Sequence, residues 1–303
     1  MNIKVWIEAA RLRTLPLSVS GIIVGSFAAY NQVENKLHFW CIFLLAIATT
    51  LCFQILSNFA NDYGDAVKGT DNENRVGPQR TVQSGAITKQ QMKTAIVLTS
   101  ILSLVVAILL IFVSFGKDNF WISLLFFILG IAAVAAAIKY TVGQSAYGYK
   151  GLGDIFVFIF FGLVSVIGSN FLYTITFDYT TIFPAISIGL LSVGVLNLNN
   201  MRDIENDIAS GKNTIVVKMG SKNAKTYHIF MIILAFVSLL VYCYLRNMLF
   251  FPTTIIYLLL FAPHLKRVND IKQPKAYDPE LKVVALGTFF LSLVLAIELF
   301  FTK

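Results

Sequence analysis

The chain of 303 residues is 57% hydrophobic and only 13% charged, with a mean hydropathy of +0.74. That composition excludes a soluble globular domain, and apolar runs along the whole length exclude a soluble domain on a single anchor. A formal charge of +8 would suit nucleic acid, but the placement of the basic residues excludes that partner.

The opening MNIKVWIEAARLRTLPL lacks the pattern of a signal peptide, because Glu8 interrupts it and no small-residue cleavage site follows a compact apolar stretch. Residues 1–13 read as an amphipathic cytoplasmic segment. Hydropathy then gives nine spans, at 14–30, 39–61, 94–115, 120–138, 152–173, 180–200, 227–245, 249–264 and 283–301. The eighth is short and is bounded by Pro252 and Pro263. With the N-terminus inside, all of the 24 basic residues except Lys36, Lys117, Arg246 and Lys303 fall in inner segments. So strong a bias sets the orientation. The expectation is an all-α, polytopic protein of the cell (inner) membrane, one domain over 1–303, with a cytoplasmic N-terminus and an outer C-terminus. Cys41, Cys52 and Cys243 lie in apolar runs without CxxC spacing and read as core or lipid-facing residues. His38, His228 and His264 sit near span ends and read as interfacial.

The polar chemistry is concentrated in two inner loops. The second span runs into SNFANDYGDAVKGTDNENRVGPQR (57–80), in which Asn58, Asp62 and Asp65 fall within roughly 60° of one another on a helix. The sixth runs into NLNNMRDIENDIASGKNT, where Asn199, Asp203 and Asp207 repeat the layout at one-turn spacing. Like charges one turn apart repel, and partial burial makes the repulsion worse. A divalent cation removes that penalty. Oxygen-only ligands without His or Cys favour Mg²⁺ over Zn²⁺, and Mg²⁺ completes its shell with water and phosphate. Arg75, Arg80, Arg202 and Lys212 lie beside the stripes, as a magnesium-bound diphosphate needs. Any one of these acids alone would read as a solvated helix end, and Asp71 and Glu73 divide evenly between the two readings. A third inner stretch, KYTVGQSAYGYKGLGD (139–154), is rich in Tyr and Gly and reads as the lining of a pocket.

The segments NFANDYGDAVKGTDNENRVGPQR and NNMRDIENDIASGKNTIVVKMG resemble the two aspartate-rich motifs of the UbiA superfamily of intramembrane aromatic prenyltransferases. ARLRTLPLSVSGIIVG and YTVGQSAYGYKGLGDIFVFIFFG resemble its menaquinone branch, with Gln144 and Tyr147 departing from residues that are common there. The resemblance covers nearly the whole chain. It implies nine helices around a central cavity, capped by cytoplasmic loops, and two Mg²⁺ ions bridging the aspartates and an isoprenyl diphosphate. Asn58, Asp62 and Asp65 would hold one ion, and Asn199, Asp203 and Asp207 the other. The four aspartates would be the catalytic set. Arg13, Arg75, Lys139, Arg202 and Lys212 would contact diphosphate, with Arg80 beside them. Tyr140, Tyr147 and Tyr149 would line the aromatic pocket or stabilise an allylic cation. The substrates implied are a polyprenyl diphosphate and 1,4-dihydroxy-2-naphthoate, met in membrane lipid. Homogentisate, 4-hydroxybenzoate or haem as acceptor is the alternative within the superfamily.

A transporter of divalent cations or phosphate is the competing class. Its ligands would lie near the midplane and continue to the far side. Here the outer parts of spans two and six, 41–53 and 182–192, carry little beyond Ser and Thr. The topology is testable by labelling. Cysteines placed at Lys36 and Lys117 are expected to react with an impermeant maleimide from outside intact cells, and one placed at Lys272 is not. Equal reaction at all three positions breaks the parse.

Overall fold

The computed structural model describes residues 3–72, 76–248 and 251–302. A short helix α1 (Ile3–Ala10) precedes α2 (Leu15–Ala29), and between them Arg11 takes a left-handed conformation, φ 51°, that turns the chain. Next come α3 (Lys36–Lys68), α4 (Lys89–Phe115) and α5 (Phe120–Lys139). The fifth span, Gly153–Thr174, is one continuous rod made of α6 (Gly153–Val157), a π-helical stretch Phe158–Gly168 and α7 (Ser169–Thr174). Then follow α8 (Ile182–Arg202), α9 (Ile204–Ala209), α10 (Ile215–Leu245), α11 (Phe251–Asp270) and α12 (Tyr277–Phe301). Among the described residues, eight helical segments are long and apolar enough to cross a membrane. α11, which is not one of those eight, stands where the short eighth span was expected, so that among the described residues the architecture is all-α with nine long helical segments.

Local sequence sets the ends. Thr88 accepts from the Gln91 amide at 3.2 Å while the Gln91 side chain accepts from the Thr88 amide at 2.9 Å, a capping box that starts α4. Gly69, at φ 74°, closes α3. α10 begins well before the expected residue 227. Thr214 caps it at the Val217 amide, and a polar first stretch with a kink at Gly220 precedes the apolar part.

α2 and α8 form the interior, with α3, the fifth span, α10 and α12 packed against one or both of them. In lipid, close helix approach depends on small residues rather than on hydrophobic exclusion. A Cβ on Gly25 of α2 would stand 2.2 Å from the Val166 carbonyl oxygen, and one on Gly162 would stand 2.6 Å from that of Ala185 on α8. The π-helical stretch is therefore in backbone contact on two sides, while Phe160, Phe161 and Val164 from the same stretch line the central cavity.

α11 is held by polar contacts. His228 Nε2 and His264 Nε2 are 2.8 Å apart, His264 Nδ1 lies 2.6 Å from Glu280, and Arg267 donates to the same carboxylate at 2.6 Å. His228 and His264 are thus buried, in contrast to the interfacial positions expected for them. Hydropathy registers nearness to a span end but not which side of the helix meets a neighbour. His38 is exposed, as expected. Cys41 is exposed and Cys243 buried, and all three cysteines are unbridged.

Gly25→Val is expected to destabilise the protein by about 1–3 kcal/mol through overpacking. Gly130→Ala, whose added carbon meets nothing closer than 3.9 Å, is the neutral control. Thermal melts in detergent compare the two.

Candidate active site

One cavity of about 580 Å³ lies among α2, α3, α4, α5, the fifth span, α8 and α12. Its deep wall is apolar, with Leu110, Ile111, Phe126 and Leu172 among its members. Its mouth is polar and carries both acidic motifs. Asn58 and Asp65 come from α3, Thr70 and Asp71 from the loop after it, Asn199 and Arg202 from α8, and Asp203, Asn206, Asp207 and Lys212 from the turn and helix beyond. The motifs are also tied directly, since Asn206 Nδ2 donates to the Thr70 carbonyl at 2.9 Å.

The second stripe is as expected: Asn199, Asp203 and Asp207 all face the cavity. Arg202 binds Asp203 through Nε at 2.9 Å and Nη2 at 2.7 Å, and reaches Asn199 at 2.8 Å and Asp278 of α12 at 2.7 Å. Lys212 Nζ stands 3.8 Å from Asp207. Burial alone would lower the Lys212 ammonium, but the charges of Asp65, Asp207 and Asp203 outweigh it and hold the group above the ordinary lysine range. Its contribution is complete at neutral pH and fades only above that range. The shared cavity lining and the Asn206–Thr70 hydrogen bond place both motifs at one site.

The first stripe is divided. Asp65 faces the cavity, whereas Asp62, expected beside it, does not line the cavity at all. Asp62 faces a smaller side cleft of about 300 Å³, formed with Ile7, Leu12 and Pro78–Thr81. There its Oδ1 pairs with Arg11 and lies 3.7 Å from Arg80, and its Oδ2 accepts from Thr81 at 3.0 Å. Helical geometry gives the reason. Asn61 and Asp65 are about 40° apart, while Asp62 is turned about 100° from Asn61. Asn61, which is outside the expected stripe, lines the cavity, as do the equally unforeseen Arg11, Asn206 and Asp278.

The other expectations divide as well. Tyr140 and Tyr147 line the cavity, with ring centroids 5.4 Å apart, and Tyr147 stacks on Phe156 at 3.9 Å. Desolvation pushes the Tyr140 phenol up to about 12, so it is a neutral hydroxyl at physiological pH. Tyr149 is outside the cavity lining. Its hydroxyl donates to Asp65 at 2.7 Å and sits 2.5 Å from Thr70 Oγ1, with the Lys68 ammonium 3.7 Å from the ring centroid. Burial and the Asp65 charge raise its phenol, which keeps the donating proton in place. Arg13 and Arg80 line both cavity and cleft. Lys139 is exposed and lines neither, because it is one residue and about 100° away from Tyr140. Arg75 and Glu73 lie outside the described residues.

The mouth suits a hard divalent cation. Its candidate metal-binding atoms are all oxygens, and the Asn206 side-chain oxygen Oδ1 is buried with no hydrogen-bond partner among the described residues. Among those residues no three His, Cys, Asp or Glu side chains converge as a ready-made metal cage. An ion there would share carboxylates with Arg202 and Lys212 and draw its remaining ligands from amides, water and an anionic substrate.

Residues 18–299 match the model of the UbiA prenyltransferase family. The chain belongs to the UbiA prenyltransferase family. Within it, the chain is 38% identical over 98% of its length to the 1,4-dihydroxy-2-naphthoate octaprenyltransferase of Haemophilus influenzae, of which 96% is covered. It is 47% identical over 74% of its length to the protein of that name from Escherichia coli, of which 71% is covered. The fold resembles the apo structure of a UbiA homologue from Aeropyrum pernix K1, with a TM-score of 0.65 at 14% identity over 95% of this chain and 97% of that one. Membership agrees with the resemblance of the motifs and with a multi-pass membrane protein.

Tyr149→Phe removes the donor to a buried carboxylate. It is expected to cost about 1–3 kcal/mol, read as a lowered unfolding midpoint in detergent. An unchanged midpoint means that Asp65 does not depend on Tyr149.

Proposed function

We propose that the protein transfers a polyprenyl group from polyprenyl diphosphate to 1,4-dihydroxy-2-naphthoate, releasing diphosphate and CO₂ and giving the quinol, demethylmenaquinol. The similarity to 1,4-dihydroxy-2-naphthoate octaprenyltransferases over most of the chain carries this reading. The cavity supports it, with an apolar depth for the isoprenoid and an anion-handling mouth. The same reading places the mouth, the N-terminus and the polar loops on the cytoplasmic side of the cell membrane and the C-terminus outside.

Two Mg²⁺ ions, held by Asn61 and Asp65 and by Asn199, Asp203 and Asp207, would supply Lewis-acid neutralisation of the diphosphate. Arg202 and Lys212, with Arg13 and Arg80 at the rim, would bind its oxygens and stabilise negative charge as the allylic C–O bond breaks. Tyr140 and Tyr147 present aromatic faces and neutral hydroxyls where the allylic carbon gains positive character. The electron-rich ring of the acceptor then forms the new C–C bond. The apolar wall of Phe126, Phe156 and Phe160 excludes water, which would otherwise capture the allylic group as an alcohol.

The test is product analysis. Purified protein given one polyprenyl diphosphate and a panel of aromatic acids is expected to prenylate 1,4-dihydroxy-2-naphthoate with loss of its carboxylate, to stop in EDTA and to resume with Mg²⁺. Asp65→Asn and Asp207→Asn are each expected to slow turnover by about two orders of magnitude or more, corresponding to roughly 2.7 kcal/mol. Preference for another acid would replace the acceptor, and full turnover in chelator would remove the metal from the scheme.

A further inference from the structure

Two residues of the expected first metal stripe are already engaged by the N-terminal stretch of the chain and its neighbours. Asn58 is 3% exposed, and its Nδ2 donates to the Ala10 carbonyl at 2.9 Å and to Thr14 Oγ1 at 3.2 Å. Its Oδ1 accepts from Gln54 at 3.4 Å. One turn later, Asp62 is 1% exposed, with one oxygen on Arg11 and near Arg80 and the other on Thr81. Both side chains therefore grip a single five-residue stretch, Ala10–Thr14, from one face of α3.

That stretch needs holding. Arg11 sits at φ 51°, ψ 59°, in the left-handed region that L-residues carrying a Cβ avoid unless the surroundings over-determine it. The hinge it forms separates α1 from α2 and aims the guanidinium at the wall between the cavity and the side cleft, both of which Arg11 lines. Asp62 occupies Arg11 Nη2, while Arg11 Nε is buried with no hydrogen-bond partner among the described residues. A partly buried guanidinium whose Nε is unspent, beside a cavity proposed to take anions, has the chemistry to meet an anionic oxygen.

The geometry points to Asn58 and Asp62 as positioning residues rather than metal ligands: they clamp the Ala10–Thr14 hinge so that Arg11, with Arg80 beside it, presents to an anionic oxygen of the substrate. Both the diphosphate and the acceptor carboxylate have that chemistry. Only the need for an anion comes from the proposed reaction, and the clamp can be tested without turnover.

The first arm is limited trypsin digestion of purified full-length protein in EDTA, with cleavage after Arg11 and Arg13 followed by mass spectrometry. Wild type and Asp65→Asn are expected to be cut slowly and alike, and Asp62→Asn and Asn58→Ala about tenfold faster. Thr81→Val, which removes only the hydroxyl on Asp62, is expected to fall between them and serves if Asp62→Asn does not fold. Wild-type resistance in every clamp variant overturns the assignment. The second arm is steady-state prenyl transfer. Asp62→Asn and Arg11→Met are expected to raise the KM of one anionic substrate about tenfold with half-saturating Mg²⁺ within twofold of wild type, and the substrate affected identifies the anion. Asp65→Asn is expected to raise the Mg²⁺ requirement instead. A raised Mg²⁺ requirement in Asp62→Asn with both KM values unchanged makes Asp62 a ligand and ends the proposal. If no variant or wild type transfers a prenyl group, the reaction is wrong while the proteolysis result on the clamp stands.

Discussion

Carboxylates at the ends of membrane helices carry a desolvation cost, and Asp62, Asp65, Asp203 and Asp207 are each held by a partner, near in sequence or far. Asp62 is met by Arg11 from the N-terminal hinge, Asp207 by Lys212, and Asp65 by the Tyr149 hydroxyl from the loop between α5 and α6. Arg202 joins Asp203 to Asp278 on α12. Removing one member of a buried ion pair commonly costs about 3–5 kcal/mol, because the remaining charge stays buried. The pairing therefore fixes where the N-terminus, three loops and α12 must meet. The mouth of the cavity is that meeting place.

The same arrangement prepares the site for a charged visitor. Arg202 and Lys212 already hold cationic charge against the acids, so a metal-bound diphosphate would exchange partners with them rather than enter a bare acidic field. The groups are ordered before the ligand arrives, which is the condition for electrostatic stabilisation without reorganisation. Behind this layer the cavity must be wide, yet its walls must stay close-packed. Gly25 and Gly162 reconcile the two by letting α2, the fifth span and α8 touch backbone to backbone. Larger side chains from the same helices, such as Phe160, then turn inward to line the cavity.

The sequence by itself determined the membrane class, the helical content and the span order, because a bilayer demands long apolar runs and basic residues are biased to one side of it. It also located the chemistry in two loops, since few acids exist in the chain and they cluster. The second stripe was fully legible: Asn199, Asp203 and Asp207 lie at successive turns with no competing register. Only the tertiary structure decided the first motif. NFANDYGD contains Asn-x-x-x-Asp twice, as Asn58–Asp62 and as Asn61–Asp65, and both pairs satisfy the same one-turn spacing. Rotation of α3 against α4, α5 and α2 sends Asn61 and Asp65 into the cavity and leaves Asp62 facing the hinge. Arg11, Thr81 and Asp278 were likewise invisible as partners, for they come from segments 51, 19 and 76 residues away from the groups they bind. Spacing along a helix determines which side chains share a face. Which face meets a cavity is settled by packing between helices, and that depends on contacts no local pattern encodes.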